Sequence, residues 1–179
     1  MNIYRRGVAA AFFASAVSCG WSASNVGPVA KFGWGENTGW VNLYGDGTNG
    51  VEVSPDYLKG FAWMENAGWL NLGEGTPEGA GSHYTNTAPD AVTPPNFGIN
   101  NDRAGNLWGL AWSENVGWVN FGESPGVSYV SIDPSTGRFS GNAWSENLGW
   151  ISFGTVQPAD VATVPSSAVP VTLGMFQVE

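Results

Sequence analysis

Charge, sulfur and histidine are scarce in this chain. Of 179 residues, six are Lys or Arg, fifteen are Asp or Glu, one is His and one is Cys. Each shortage excludes something. His83 and Cys19 alone cannot build a zinc site, nor a Ser/His/Asp or Cys/His nucleophilic arrangement. A single cysteine allows no internal disulfide, so packing must hold the fold. Few basic residues leave no patch for nucleic acid or an anionic membrane. The apolar runs fall short of the ~20 residues a transmembrane helix needs. What remains is rich in Gly (26) and Trp (10). That balance suits short strands and tight turns better than long helices, which favour Ala, Leu, Glu and Lys.

Residues 1–24 read as a secretory signal. Arg5 and Arg6 open it, an apolar stretch runs from Gly7 to about Val17, and Ser18, Ser22, Ala23 and Ser24 supply small residues for cleavage after Ser24. Cys19 lies inside this segment. Ala16-Val17-Ser18-Cys19 departs from a lipoprotein box, with Ala16 where Leu is usual, so loss with the signal is expected and lipidation is not. The mature chain would carry four basic and fifteen acidic side chains, a net of about −11. The expectation is a secreted, extracellular or periplasmic protein, with outer-surface association as a variant and no transmembrane segment in the mature chain.

The dominant feature is a motif in four copies: Trp34-Gly-Glu-Asn-Thr-Gly-Trp40, Trp63-Met-Glu-Asn-Ala-Gly-Trp69, Trp112-Ser-Glu-Asn-Val-Gly-Trp118 and Trp144-Ser-Glu-Asn-Leu-Gly-Trp150. Their first Trp residues are spaced by 29, 49 and 32 positions. Strand-like segments precede three copies: Val51–Val53, Phe97–Ile99 and Tyr129–Ile132. Polar turns follow at Pro55-Asp56, Asn101–Gly105 and Asp133–Gly137. Tandem units of this kind build arrays. The fold predicted is all-β: three-stranded antiparallel meanders of about 30 residues in one closed array, propeller-like as first choice and a two-sheet β-sandwich as the alternative. The repeat domain spans 25–154, with an exposed insertion at about 75–95. A linker follows at 155–169, and a strand at 170–179 is expected to supply the leading strand that the first copy lacks.

Glu-Asn-x-Gly reads as a four-residue hairpin loop, with Gly39, Gly68, Gly117 and Gly149 at positive φ. The side chains of Glu36, Asn37, Glu65, Asn66, Glu114, Asn115, Glu146 and Asn147 are expected to bond their own turn backbone. A four-residue loop sends the flanking indoles to opposite faces. Trp34, Trp63, Trp112 and Trp144 then share a face with Val41, Leu70, Val119 and Ile151, and are assigned to the core. The other face carries Trp40 with Asn42, Trp69 with Asn71, Trp118 with Asn120 and Trp150 with Ser152. A flat indole beside an amide is what sugar-binding surfaces use. Packing against the adjoining repeat is the favoured reading, since arrays bury inter-repeat faces first. A loop one residue longer would place both indoles on one side.

Units such as Gly-Asn-Ala-Trp144-Ser-Glu-Asn-Leu-Gly-Trp150-Ile-Ser-Phe resemble a group of uncharacterised exported bacterial proteins with tandem Ala-Trp-x-x-Asn-x-Gly-Trp-Ile-x-Phe repeats. The likeness covers roughly residues 30–154. It implies an extracellular or envelope location and brings no activity. Some relatives end in a sorting segment with a hydrophobic helix and a basic end, which Met175-Phe-Gln-Val-Glu179 does not resemble.

No catalytic residue is assigned. The four Glu residues sit in identical turns, whereas a glycosidase needs two carboxylates in different environments. His83 reads as a solvated loop residue. No metal or cofactor is expected. Calcium is the weak alternative, through Asn100, Asn101 and Asp102 or Asp46, Thr48 and Asn49, neither of which has EF-hand spacing. The function expected is a non-enzymatic secreted or surface scaffold; the alternative is a carbohydrate-binding module using the Trp/Asn face. The partner is an extracellular protein or a glycan.

Overall fold

A computed structural model describes residues 23–75, 77, 83–86, 96–154 and 159–164. Most of the expected signal, most of the insertion and the 170–179 segment lie outside these residues. Among the described residues every regular element is a strand. The chain rises through β1 (Val26–Gly35), reverses, and descends through β2 (Gly39–Asn42) and β3 (Val51–Val53). It rises in β4 (Leu58–Met64) and descends in β5 (Gly68–Asn71) and β6 (Ile99–Asn101). β7 (Asn106–Ser113) rises; β8 (Gly117–Ser124) returns, the short β9 (Val127–Ser128) doubles back antiparallel to it, and β10 (Val130–Ile132) resumes the descent. β11 (Phe139–Ser145) rises, and β12 (Gly149–Ser152) and β13 (Asp160–Thr163) complete the circuit.

Pairing closes these strands into an antiparallel barrel of eight staves. β2 lies between β1 and β4, β5 between β4 and β7, β8 between β7 and β11, and β12 between β11 and β1. Each descending stave is broken by a loop and resumes below it. There β3 pairs with β4, β6 with β7, β10 with both β7 and β11, and β13 with β1. The amide of Asn25 stands in for a strand bond, exchanging hydrogen bonds of 2.8 Å with the Val53 N–H and C=O. The closed all-β array is therefore a barrel: neighbouring hairpins bond to one another around the ring, so separate propeller blades and a two-sheet sandwich are not what forms. The first copy's leading strand is β13, drawn from within the stretch expected to be linker.

The hairpin loop differs from expectation by one residue, and the difference moves every side chain. Ser145 pairs with Gly149 and Trp144 with Trp150, and the same register holds in the other three hairpins. The loop is thus Glu-Asn-x, three residues long. Gly39, Gly68, Gly117 and Gly149 do take φ of 66°, 80°, 78° and 76°, but as the first residue of the returning strand, the bulge position of a three-residue hairpin. Because side chains alternate, this parity puts both indoles of each pair on the same face.

The inward face instead carries Ala62, Ala111 and Ala143 opposite Leu70, Val119 and Ile151, with Gly33 opposite Val41. All four partners are fully buried, as are Leu43, Leu72, Phe121 and Phe153 one step below. An eight-stranded barrel is just wide enough to be filled by side chains, and small-against-large pairs suit it. Each buried Leu, Ile or Phe contributes about 1.5–3 kcal/mol. The variable turn residues Thr38, Ala67 and Leu148 are buried too, closing the upper end.

The turn asparagines bond the neighbouring turn, not their own. Asn37 Nδ2 donates to Leu148 O (3.0 Å), Asn66 Nδ2 to Asn37 O (3.5 Å), Asn115 Nδ2 to Ala67 O (3.1 Å) and Asn147 Nδ2 to Val116 O (2.9 Å). Each turn leans on the one before it, and the first on the fourth, so the bonds form a ring. Glu65 also reaches across, its Oε2 accepting from Trp40 N–H at 3.2 Å. A second recurring device lies three residues before the first Trp. Gly60, Gly109 and Gly141 have φ of 94°, 113° and 92°, where the facing stave is interrupted. A Cβ there would collide with the carbonyl oxygen of Gly50, Gly98 or Tyr129.

Candidate functional site

The barrel's outer surface carries the indole pairs. Trp63 and Trp69 meet edge-to-face with centroids 4.9 Å apart, Trp112 and Trp118 at 4.6 Å, and Trp144 and Trp150 at 4.8 Å. Trp34 and Trp40 occupy the same cross-strand position. The core assignment of the first indoles is overturned: Trp63 and Trp144 are exposed, and Trp34 and Trp112 are half-buried. The second indoles are not hidden between repeats either, because Trp40, Trp69, Trp118 and Trp150 are all exposed. Edge-to-face pairing offers each indole about 0.5–1.5 kcal/mol from its partner. It does not remove the ring faces from water.

The polar neighbours of the second indoles divide. Asn42 Oδ1 accepts from the N–H groups of Tyr44 and Gly45 at 3.1 and 3.2 Å, Asn71 Oδ1 from Gly73 at 2.9 Å and Asn120 Oδ1 from Gly122 at 2.8 Å. Each amide oxygen thereby bends the backbone out of the descending stave. The Asn71 and Asn120 Nδ2 groups bond to nothing among the described residues. Ser152, the counterpart in the fourth hairpin, is buried, and its hydroxyl has no partner among the described residues.

One pair lies in a cleft. Phe61, Trp63, Trp69 and Trp112 face a groove of about 920 Å³. Asn42, Asp46 and Asn49 wall it on one side, and Glu114 and Asn115 on the other; Asn71 also lines it. The first wall is the loop joining β2 to β3. Asp46 organises that loop: its Oδ1 accepts from Thr48 N–H (2.8 Å) and Asn49 N–H (2.9 Å), and its Oδ2 from Asn49 Nδ2 (3.1 Å). Those backbone N–H groups hold the Asp46 carboxyl below the usual carboxylate range. An aromatic floor between amide and carboxylate rims can take a flat ligand with apolar faces and hydroxylated edges.

Most of the side chains named as calcium candidates are engaged by nearby backbone and side-chain donors. Asp46 already accepts three hydrogen bonds, and Asp102 accepts from Ala104 N, Asn106 N and Asn106 Nδ2. Asn100 Oδ1 accepts from Tyr84 N–H and Asn101 Oδ1 from Arg103 N–H. Among the described residues no three His, Cys, Asp or Glu side chains cluster as a metal site. His83 is exposed outside the strands, as read from the sequence, with its Nε2 3.0 Å from Asn101 O and its ring edge-on to Trp108 at 4.8 Å.

Sequence reading did not assign Phe61 to a site, and it named Asp46 and Asn49 only as weak calcium candidates, not as the wall of a groove. Phe61 had a local signal, since it precedes Ala62-Trp63 where Leu110 and Asn142 precede the third and fourth pairs. The loop wall had none, because it meets the second and third hairpins only once the barrel closes. No family model, curated protein or solved structure matches this chain.

Proposed function

We propose that this protein is a non-catalytic glycan-binding barrel, exported from the cell, whose site is the Trp63/Trp69/Trp112 cleft. The observation that carries this reading is the exposure of paired indoles in a groove rimmed by Asn71, Asn49, Asp46 and Glu114. Indole faces stack on sugar C–H faces while amides and carboxylates bond hydroxyls. The acidic rim and the net charge of −9 favour uncharged sugars over polyanions. The export part of the proposal rests on the signal-like residues 1–24.

Hydrolysis would need a carboxylic acid with a raised pKa beside an ionised carboxylate; Asp46 fits only the ionised role. A second reading, a scaffold for protein contacts, is favoured by the ring of asparagine bonds that ties all four turns into one rigid rim. Intrinsic Trp fluorescence, titrated with cellohexaose, chitohexaose and mannohexaose, separates the two. Saturable change that Trp69→Ala abolishes supports glycan binding. No response to any of the three leaves the scaffold.

A further inference from the structure

The four hairpins share a backbone but not a surface. Hairpins one and three have their second indole covered on one side: Phe32 lies 5.4 Å from Trp40, and Phe97 lies 5.2 Å from Trp118. Those indoles are 38% and 39% exposed. In hairpin two Phe61 stands farther off, its ring 6.3 Å from Trp69, which is 51% exposed; in hairpin four Trp150 is 58% exposed. These are the two most exposed indoles among the described residues. They hold the same position in their repeats and stand on opposite sides of the ring, since the fourth hairpin's neighbours are the first and the third.

The fourth hairpin also differs in the outward residue that precedes its first indole by two. Phe32, Phe61 and Leu110 fill that place elsewhere; here it is Asn142. Its side-chain amide bonds to nothing among the described residues, and it lies on the same outer face as Trp144 and Trp150. An open amide beside an open indole pair repeats the chemistry that Asn71 gives the cleft.

Resting on the glycan reading above, we infer that Trp144, Trp150 and Asn142 form a second glycan-contact face, so that one molecule bridges two polysaccharide chains. Across an eight-stranded barrel the backbones stand on the order of 15 Å apart. The two faces look away from each other, so a single extended chain cannot lie along both. Bridging converts modest single-site affinity into network formation, because the second contact is made at high effective concentration.

The test uses the whole protein in two formats. Calorimetric titration with cellohexaose, chitohexaose and mannohexaose should give two oligosaccharides per protein for the sugar that binds. Mixing with the matching long polymers, hydroxyethyl cellulose, glycol chitin and galactomannan, should raise light scattering through cross-linking. The double variants Trp63→Ala/Trp69→Ala and Trp144→Ala/Trp150→Ala should each bind one oligosaccharide and lose cross-linking. A wild-type stoichiometry of one, which needs no variant to interpret, overturns the second face and leaves the cleft standing. Cross-linking that survives Trp144→Ala/Trp150→Ala also overturns it. No binding to any of the three sugars removes the glycan reading and this inference with it.

Discussion

Ala62 and Trp63 are neighbours in β4, yet the small residue is fully buried and the large one is 43% exposed. The same inversion runs through Ala111 and Trp112, and through Ala143 and Trp144. Inside the barrel, space is limited and small residues face large ones; outside, the indole pairs meet solvent, each other and flanking rings such as Phe32, Phe61 and Phe97. Size therefore does not decide which side chain is interior here. Strand parity decides it, and parity is set by a three-residue loop with Gly as the closing partner.

The interior and exterior should respond differently to loss of volume. Phe121→Ala and Ile151→Ala should cost about 3–5 and 2–5 kcal/mol, since both rings of contacts are fully buried. Trp150→Ala should cost about 1 kcal/mol, the order of an aromatic pair. Denaturant midpoints for the three variants check the contrast, and equal losses would erase it. Gly141→Ala comes next, at about 2 kcal/mol, because the added methyl meets the Tyr129 carbonyl at a φ of 92°. Gly126→Ala is its control, with nothing within 4 Å of the new Cβ.

The ring of turn bonds gives a smaller effect. Asn147→Ala removes the bond to Val116 O and should cost about 0.5–1.5 kcal/mol. Hydrogen exchange should show faster opening in both the third and the fourth turn, since the bond joins them. The smallest effect concerns the cleft wall. Asp46 has a folded pKa below its unfolded value, so its contribution is present above pH ~4 and is lost as pH falls through the lower folded value. Glycan binding should weaken in that acid window, and Asp46→Asn should flatten the response there.

The strands, the closed all-β array and the positive-φ glycines were legible because their signals are local: Val-Asn-Phe alternation, Pro/Asp/Asn turns and the Gly of Glu-Asn-x-Gly. The faces were not. Counting Gly149 into the loop, when it pairs with Ser145, exchanged interior for exterior along the whole hairpin. The Ala or Gly before each first Trp was the clue, since a narrow barrel needs a small residue opposite Ile151 or Leu70. The asparagine ring, the β13 stave and the Asp46 wall depend on contacts between distant segments, which a repeat pattern does not encode.

Outward indole pairs make a direct demand on quenching by a neutral collider. Acrylamide should quench most of the Trp emission of the free protein, since six indoles among the described residues are 38% exposed or more, and a saturating glycan should protect part of that population. An emission that resists acrylamide in the free protein would contradict the outward register itself.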